Sequence, residues 1–197
     1  MPLETTKSIH EIKSPGPNEN WKLGFFGQIN FYKGLDVIID ALYKANKKGA
    51  NVEIGIHGKM SPVTGQQYID DLEKNIKKLG RHANFFGPYQ QENVQKIMSE
   101  YHFVVMGSRW YENSPVVIQE ALAAGRPLIT PSHGGMLEKT NFIKFHFEPG
   151  NSNSLADLLL SLNDDQYYES VGIIKAIRND MKKDLLRVYE STLRLYK

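Results

Sequence analysis

The chain reads as an α/β protein built on a parallel sheet of about six strands flanked by helices, with extra helices at its C-terminal end. Short apolar runs alternate with longer stretches whose apolar residues recur every three or four positions, the pattern of repeated βα units. Glycines close several of the apolar runs, at Gly27, Gly58 and Gly87, where a strand must turn into a loop. Hydrophobic residues make up 41% of the 197, enough for a sizeable core.

Residues 1–20 are polar and rich in Pro, Ser and Asn, and read as a linker or tail ahead of a domain spanning 21–197. Strands are expected at 22–26, 52–57, 83–86, 103–106, 127–130 and 144–147. The helices between them fall at 34–47, 66–79, 91–99, 115–124 and 136–139, followed by one at 154–162 capped by Asn151 or Asn153. Residues 165–197 carry two or three further helices with charged faces and apolar stripes such as Ile173, Ile174 and Ile177, then Met181, Leu185, Leu186 and Tyr189. These are read as packing on the sheet's edge or returning across a hinge. No internal repeat is evident.

The helix at 115–124 is the most informative. Asn113 or Ser114 can cap it, Pro115 suits its first position, and Gly125 followed by Pro127 ends it. It is apolar nearly all round, which describes a buried helix. Glu120 is the exception and needs a hydrogen-bonding partner or a shifted pKa. Helical side chains lean toward the N-terminus, so Glu120 points back to the turn holding Glu112 and Asn113, seven residues separating the two glutamates. Free N–H groups at that turn suit a phosphate, and the carboxylates suit sugar hydroxyls.

A net charge of +2 with mixed signs argues against a nucleic-acid partner or an acidic membrane surface. The absence of cysteine removes disulfides and thiolate-bound metals and fits a reducing compartment. No apolar run is long enough to span a bilayer, and the start does not resemble a signal peptide, so a cytoplasmic protein is expected.

Ligands of open α/β sheets bind beyond the carboxyl ends of the strands, so the strand-to-helix loops are the places to look. The first runs Gly27-Gln28-Ile29-Asn30-Phe31-Tyr32-Lys33-Gly34 and puts a lysine at a helix start, against the dipole. An anion bridging Lys33 and backbone N–H groups accounts for it, and so does a solvated lysine beside a turn glycine. Lys59 lies in the second loop. Tyr89, after the third strand, suits stacking on a base or plain packing, and packing is preferred. After the fifth strand, Gly134 and Gly135 suit either close backbone approach to a ligand or a tight turn.

Together these segments resemble the donor-nucleotide domain of retaining GT-B glycosyltransferases, the family 4 type of glycosyl transferases group 1. The resemblance covers about 22–162 and rests on Glu112 and Glu120 with the Ala121-Leu122-Ala123-Ala124-Gly125-Arg126-Pro127 stretch, on Phe26-Gly27 through Lys33-Gly34, on Gly134 to Glu138, and on Glu148-Pro149-Gly150. It implies a Rossmann-like domain, one half of a GT-B fold, that binds a UDP-, GDP- or ADP-sugar as substrate, needs no cofactor or metal, and serves polysaccharide biosynthesis. Glu112 would be catalytic, facing the transferred sugar. Gly27, Gln28, Lys33, Asn113, Ser114, Val116, Val117 and Glu120 would bind the donor, with Lys33 at the diphosphate and Glu120 at the ribose. Lys59, Tyr89, Arg109, Gly134 and Gly135 are further donor-site candidates.

Two departures stand out. The family usually has arginine where this chain has Gln28, and Lys59 and Arg109 are the candidates to replace that cation. The acceptor-binding N-terminal domain is missing from the sequence, so the chain reads as half an enzyme whose glycan or lipid-linked acceptor is held by that domain or a partner chain. The full enzyme would be cytoplasmic or membrane-peripheral. The alternative is a non-catalytic sugar-nucleotide or glycan binding module. A dinucleotide-binding oxidoreductase is disfavoured because Gly24, Gly27 and Gly34 lack the required spacing and no acid ends the second strand. A P-loop fails because Met60 follows Lys59 and Glu53 stands in place of the first glycine.

Overall fold

A computed structural model describes residues 12–113 and 115–195, with residues 181–195 as backbone. Six strands form one sheet: β1 (Trp21–Phe26), β2 (Val52–His57), β3 (Ala83–Gly87), β4 (Phe103–Val105), β5 (Leu128–Pro131) and β6 (His146–Phe147). Their order is β3-β2-β1-β4-β5-β6, all parallel, with Gly24 of β1 level with Gly55 on one side and Val104 on the other. The order reverses between β1 and β4, so the loops leaving these two strands diverge and open a crevice.

Helices cover both faces, which is why β1, β2, β4 and β5 are buried almost throughout and read as near-continuous apolar runs. Alternate residues serve opposite layers. Leu23, Phe25, Ile54, Ile56, Phe103 and Val105 pack under α1 (Leu35–Lys47), α2 (Gln66–Leu79) and α6 (Ser152–Leu160). Phe26, Val104 and Leu128 pack with α3 (Val94–Met98), α4 (Val116–Ala123) and α5 (Gly134–Thr140). On that second face Tyr101 lies across Gly24 and Gly55, where any Cβ would strike its ring. Its hydroxyl meets His57 Nε2 at 2.7 Å. β3 is an edge strand, and its Phe85 and Phe86 are exposed.

Several elements differ from the sequence expectation. Residues 91–99 split into a 3-10 turn (Gln91–Asn93) and the short α3. α5 is longer than expected, and α6 begins earlier because Asn151 caps it by accepting from the N–H groups of Asn153 and Ser154. The C-terminal helices are one continuous α7 (Asp164–Leu195), since the stretch has no proline and a single mid-helix glycine, Gly172, costs only about 1 kcal/mol. Tyr167 of α7 is fully buried, its ring edge-on to those of Trp21 and Phe103. α4 is half-exposed rather than buried: Ile118 and Ala121 face the core, whereas Val116 is 60% exposed.

Residues 12–20 lie against the domain. The Tyr167 hydroxyl donates to the Ile12 carbonyl at 3.0 Å, and His102 bridges Lys22 N–H at Nδ1 and the Lys13 carbonyl at Nε2, which fixes the proton on Nε2. Among the described residues no helix is long and apolar enough to cross a membrane.

Candidate functional site

The crevice between β1 and β4 is walled by two loops that touch through glycines. Gly34 takes the left-handed conformation (φ 63°) that ends the 3-10 turn Phe31–Lys33, its N–H bonded to the Phe31 carbonyl. Its bare Cα sits on the backbone of Gly107: a Cβ there would lie 2.7 Å from the Gly107 carbonyl carbon and closer still to its oxygen. Because neither residue has a side chain, the two loops can touch here. Lys33 Nζ lies 2.9 Å from Glu112 Oε1.

Glu112 is held from several directions. The buried Ser108, three residues beyond β4, donates its hydroxyl to the same Oε1 that Lys33 contacts. Oε2 has no hydrogen-bond partner among the described residues. The Glu112 carbonyl accepts from Gly135 N–H at 2.8 Å, and a Cβ on Gly135 would collide with the backbone at Glu112 and Asn113. The glycine pair thus brings the start of α5 against the Glu112 loop, with Gly134 taking the turn at φ 55°. His133 Nε2 donates to the Trp110 carbonyl at 3.1 Å, and its ring packs on Tyr111, steadying the same loop.

α4 starts just beyond. Pro115 is its N-cap rather than its first residue, with ψ 123° outside the helical range and no side-chain cap of its own to offer. By helix geometry the N–H groups of Val116 and Val117 have no intrahelical acceptor, an arrangement that suits an anion. Asn113 is exposed beside them, and Ser114 lies outside the described residues. Glu120 finds the partner its position demands in Gln91, whose amide donates to Oε1. Tyr89 is half-buried, edge-on to Phe26, and its phenol pKa is raised by burial and then by the nearby Glu120 charge.

The remaining candidates separate clearly. Gln28 and Lys59 are both exposed and adjacent, because Ile29 N–H bonds to the Lys59 carbonyl at 2.9 Å and Ile29 bridges to Met60. Gly27 lends its carbonyl to close contact with Gly58, where no Cβ would fit. Arg109 turns away. Its fork clasps Asp36 at 2.8 and 2.5 Å, Nη1 also donates to the Phe31 carbonyl at 2.7 Å, and the guanidinium lies 4.3 Å over the Phe31 ring. Asp36 holds the Arg109 pKa above its ordinary value. Arg109 thus ties the two loops together, and Lys59 is left as the cation beside Gln28.

Ser108 and Gln91 were not singled out from sequence. Ser108 carries a faint signal, a small polar residue just beyond a strand and four positions before Glu112. Gln91 carries none, being 29 positions from Glu120 in a polar loop. A 530 Å³ recess opens at the opposite end of the sheet, between residues 15–19 and the start of α7. Its charged lining is Glu19, Asp164 and Asp165, which repels an anionic ligand. Among the described residues no group of three or more metal-ligating side chains occurs.

Comparison with known proteins gives the lineage. The chain is 28% identical to an uncharacterised glycosyltransferase of Methanocaldococcus jannaschii, an alignment covering 99% of this chain and 50% of that protein. It is 26% identical to the spore coat protein SA of Bacillus subtilis over 63% of this chain and 35% of that one. The chain therefore spans half or less of these relatives' length. Among solved structures, the C-terminal domain of a glycosyl transferase group 1 family protein from Francisella tularensis superposes with a TM-score of 0.66 at 23% identity, covering 78% of this chain and 81% of that domain. Anabaena HepE, crystallised with UDP and glucose, also gives 0.66 at 22% identity over 85% of this chain and 48% of its own. The family model of glycosyl transferases group 1 matches residues 7–182, and the chain belongs to that family, with the Rossmann-like fold of its C-terminal domain.

Proposed function

We propose that this domain binds the nucleoside diphosphate sugar of a retaining, family 4 type GT-B glycosyltransferase that transfers the sugar to a hydroxyl acceptor. The observation that carries this reading is the meeting of Lys33 and Glu112 across the β1/β4 crevice, beside the N-terminal end of α4. One cation, free N–H groups and a carboxylate with one open oxygen are what a sugar diphosphate requires. The UDP and UDP-glucose complexes of the Anabaena neighbour support it.

In this reading the diphosphate takes Lys33 and the N–H groups of Val116 and Val117, which meet the charge growing on the leaving group as the glycosidic bond breaks. Gln28 and Lys59 flank the same position. Glu112 presents Oε2 to the transferred sugar, where a carboxylate also favours the positive charge developing on the ring. Glu120 accepts from the ribose hydroxyls, and Tyr89 borders the base. Protein groups supply the charge, so no metal is called on. The acceptor, a glycan or lipid-linked hydroxyl, is held by an N-terminal domain in the same polypeptide or a partner chain. The enzyme works in the cytoplasm, at the membrane surface where its acceptor is lipid-linked.

A thermal-shift panel of UDP, GDP, ADP and their sugars tests the donor site. A ligand at one hundred times its Kd adds about 2.7 kcal/mol of stability, a rise of several degrees. Absence of stabilisation by every diphosphate would sink the proposal. Stabilisation without donor hydrolysis or transfer, even with an acceptor domain supplied, would favour a binding module instead.

A further inference from the structure

Glu120 does not stand alone at the nucleoside end of the crevice. Gln91, on the turn after β3, donates its side-chain amide to Oε1, and Oε2 has no partner among the described residues. Tyr89, two residues before Gln91, lies close enough for the Glu120 charge to act on its phenol. The turn is anchored: Val94 and Met98 of α3 are buried in the same cluster as Ile118 and Ala121 of α4, which fixes the turn relative to Glu120. An aromatic ring, an amide and a carboxylate from two separate elements therefore lie close together.

Resting on the donor-site reading above, we propose that Gln91 is a positioning residue that sets the preference for ribose over deoxyribose. A half-buried glutamate on a half-open helix still samples several rotamers, and a vicinal diol is recognised well by only one of them. The amide fixes that rotamer by occupying Oε1 and presents Oε2 and the remaining lone pair of Oε1 to the 2′- and 3′-hydroxyls. Without it the carboxylate still binds diol, but must be ordered at the moment of binding.

The test is calorimetry with UDP, GDP and ADP and their 2′-deoxy counterparts, using whichever base binds. A hydrogen bond to a charged acceptor predicts that the wild type binds the ribonucleotide about 10- to 100-fold more tightly than the deoxy form. In Gln91→Ala, and in Gln91→Met, which keeps the side chain's bulk without its amide, the ratio should fall to about threefold or less. In a Glu120→Gln background, adding Gln91→Ala should change the ratio no further. A full wild-type ratio in both Gln91 variants overturns the positioning role while leaving the donor site intact. So does tighter ribonucleotide binding in Gln91→Ala, which would show the amide competing with ribose. No diphosphate binding by the wild type overturns the donor-site reading and this proposal together. A purely structural role for Gln91 would weaken both nucleotides equally and leave the ratio unchanged, which also refutes it.

Discussion

Replacing Gly34 by alanine tests the contact that brings the two site loops together. Two costs combine at that position. The residue sits at φ 63°, ψ 30°, where a side chain costs about 1–2 kcal/mol. The added Cβ would lie 2.7 Å from the Gly107 carbonyl carbon, so the loops must part by at least 0.7 Å to reach an ordinary 3.4 Å contact. Overpacking of that order costs about 1–3 kcal/mol. The sum is about 2–5 kcal/mol, a loss of about 4–20 °C in Tm for a domain this size. Gly107→Ala separates the terms, because Gly107 is not in the left-handed region and its Cβ would lie 3.0 Å from the Gly34 carbonyl carbon and from Ile38 Cδ1. It should cost about 1–3 kcal/mol. Urea denaturation gives both values. Calorimetry with UDP should show diphosphate affinity falling about 10- to 100-fold in Gly34→Ala, since displacing catalytic groups by about 1 Å costs on that scale. A Gly34→Ala protein as stable as wild type, or one that is destabilised yet binds diphosphate normally, would refute the account of how Lys33 and Glu112 are held.

Other variants separate roles within the crevice. Lys33 and Glu112 are partly exposed, so Lys33→Ala should cost less than about 1 kcal/mol of stability while lowering diphosphate affinity about 10- to 100-fold by titration. Arg109→Ala should do the reverse, losing about 1–3 kcal/mol in urea denaturation with its Asp36 clasp and changing diphosphate affinity less than Lys59→Ala does. His57 is buried, stacked between Phe26 and Phe86, and desolvation lowers its pKa below 6.5. The unfolded chain therefore takes up a proton first as pH falls, so stability is full above about pH 6.5 and declines toward the lower folded pKa. Burial lowers the His102 pKa as well, so His57→Gln should flatten the pH 7-to-5 stability profile only in part, as read by denaturation at each pH.

Much of the architecture was readable because it is local chemistry. The apolar runs at 52–57 and the helix at 66–79 emerge with the bounds their composition implies, and Gly125 ends α4 at φ 71°. The errors have local causes too. Pro115 has the right φ for a first helical residue but an extended ψ, which places it outside α4. The continuous α7 shows that charged spacing residues do not break a helix when neither proline nor a stabilised turn interrupts it. The exposed face of α4 escaped a reading based on apolar content, since composition does not say which side of a helix a neighbour covers.

The sequence by itself determined the alternation of strands and helices, the loops to inspect, and the charged residues within them, because these follow from periodicity, capping and residue type. Which of those charges meet was decided by the tertiary structure. Lys33 reaches Glu112 only because β4 lies beside β1, Arg109 is claimed by Asp36 across the same junction, and Glu120 is paired by an amide from the turn after β3. These partners are set by strand order, close glycine backbone contact and the packing of α3 on α4, long-range quantities that no window of neighbouring residues contains.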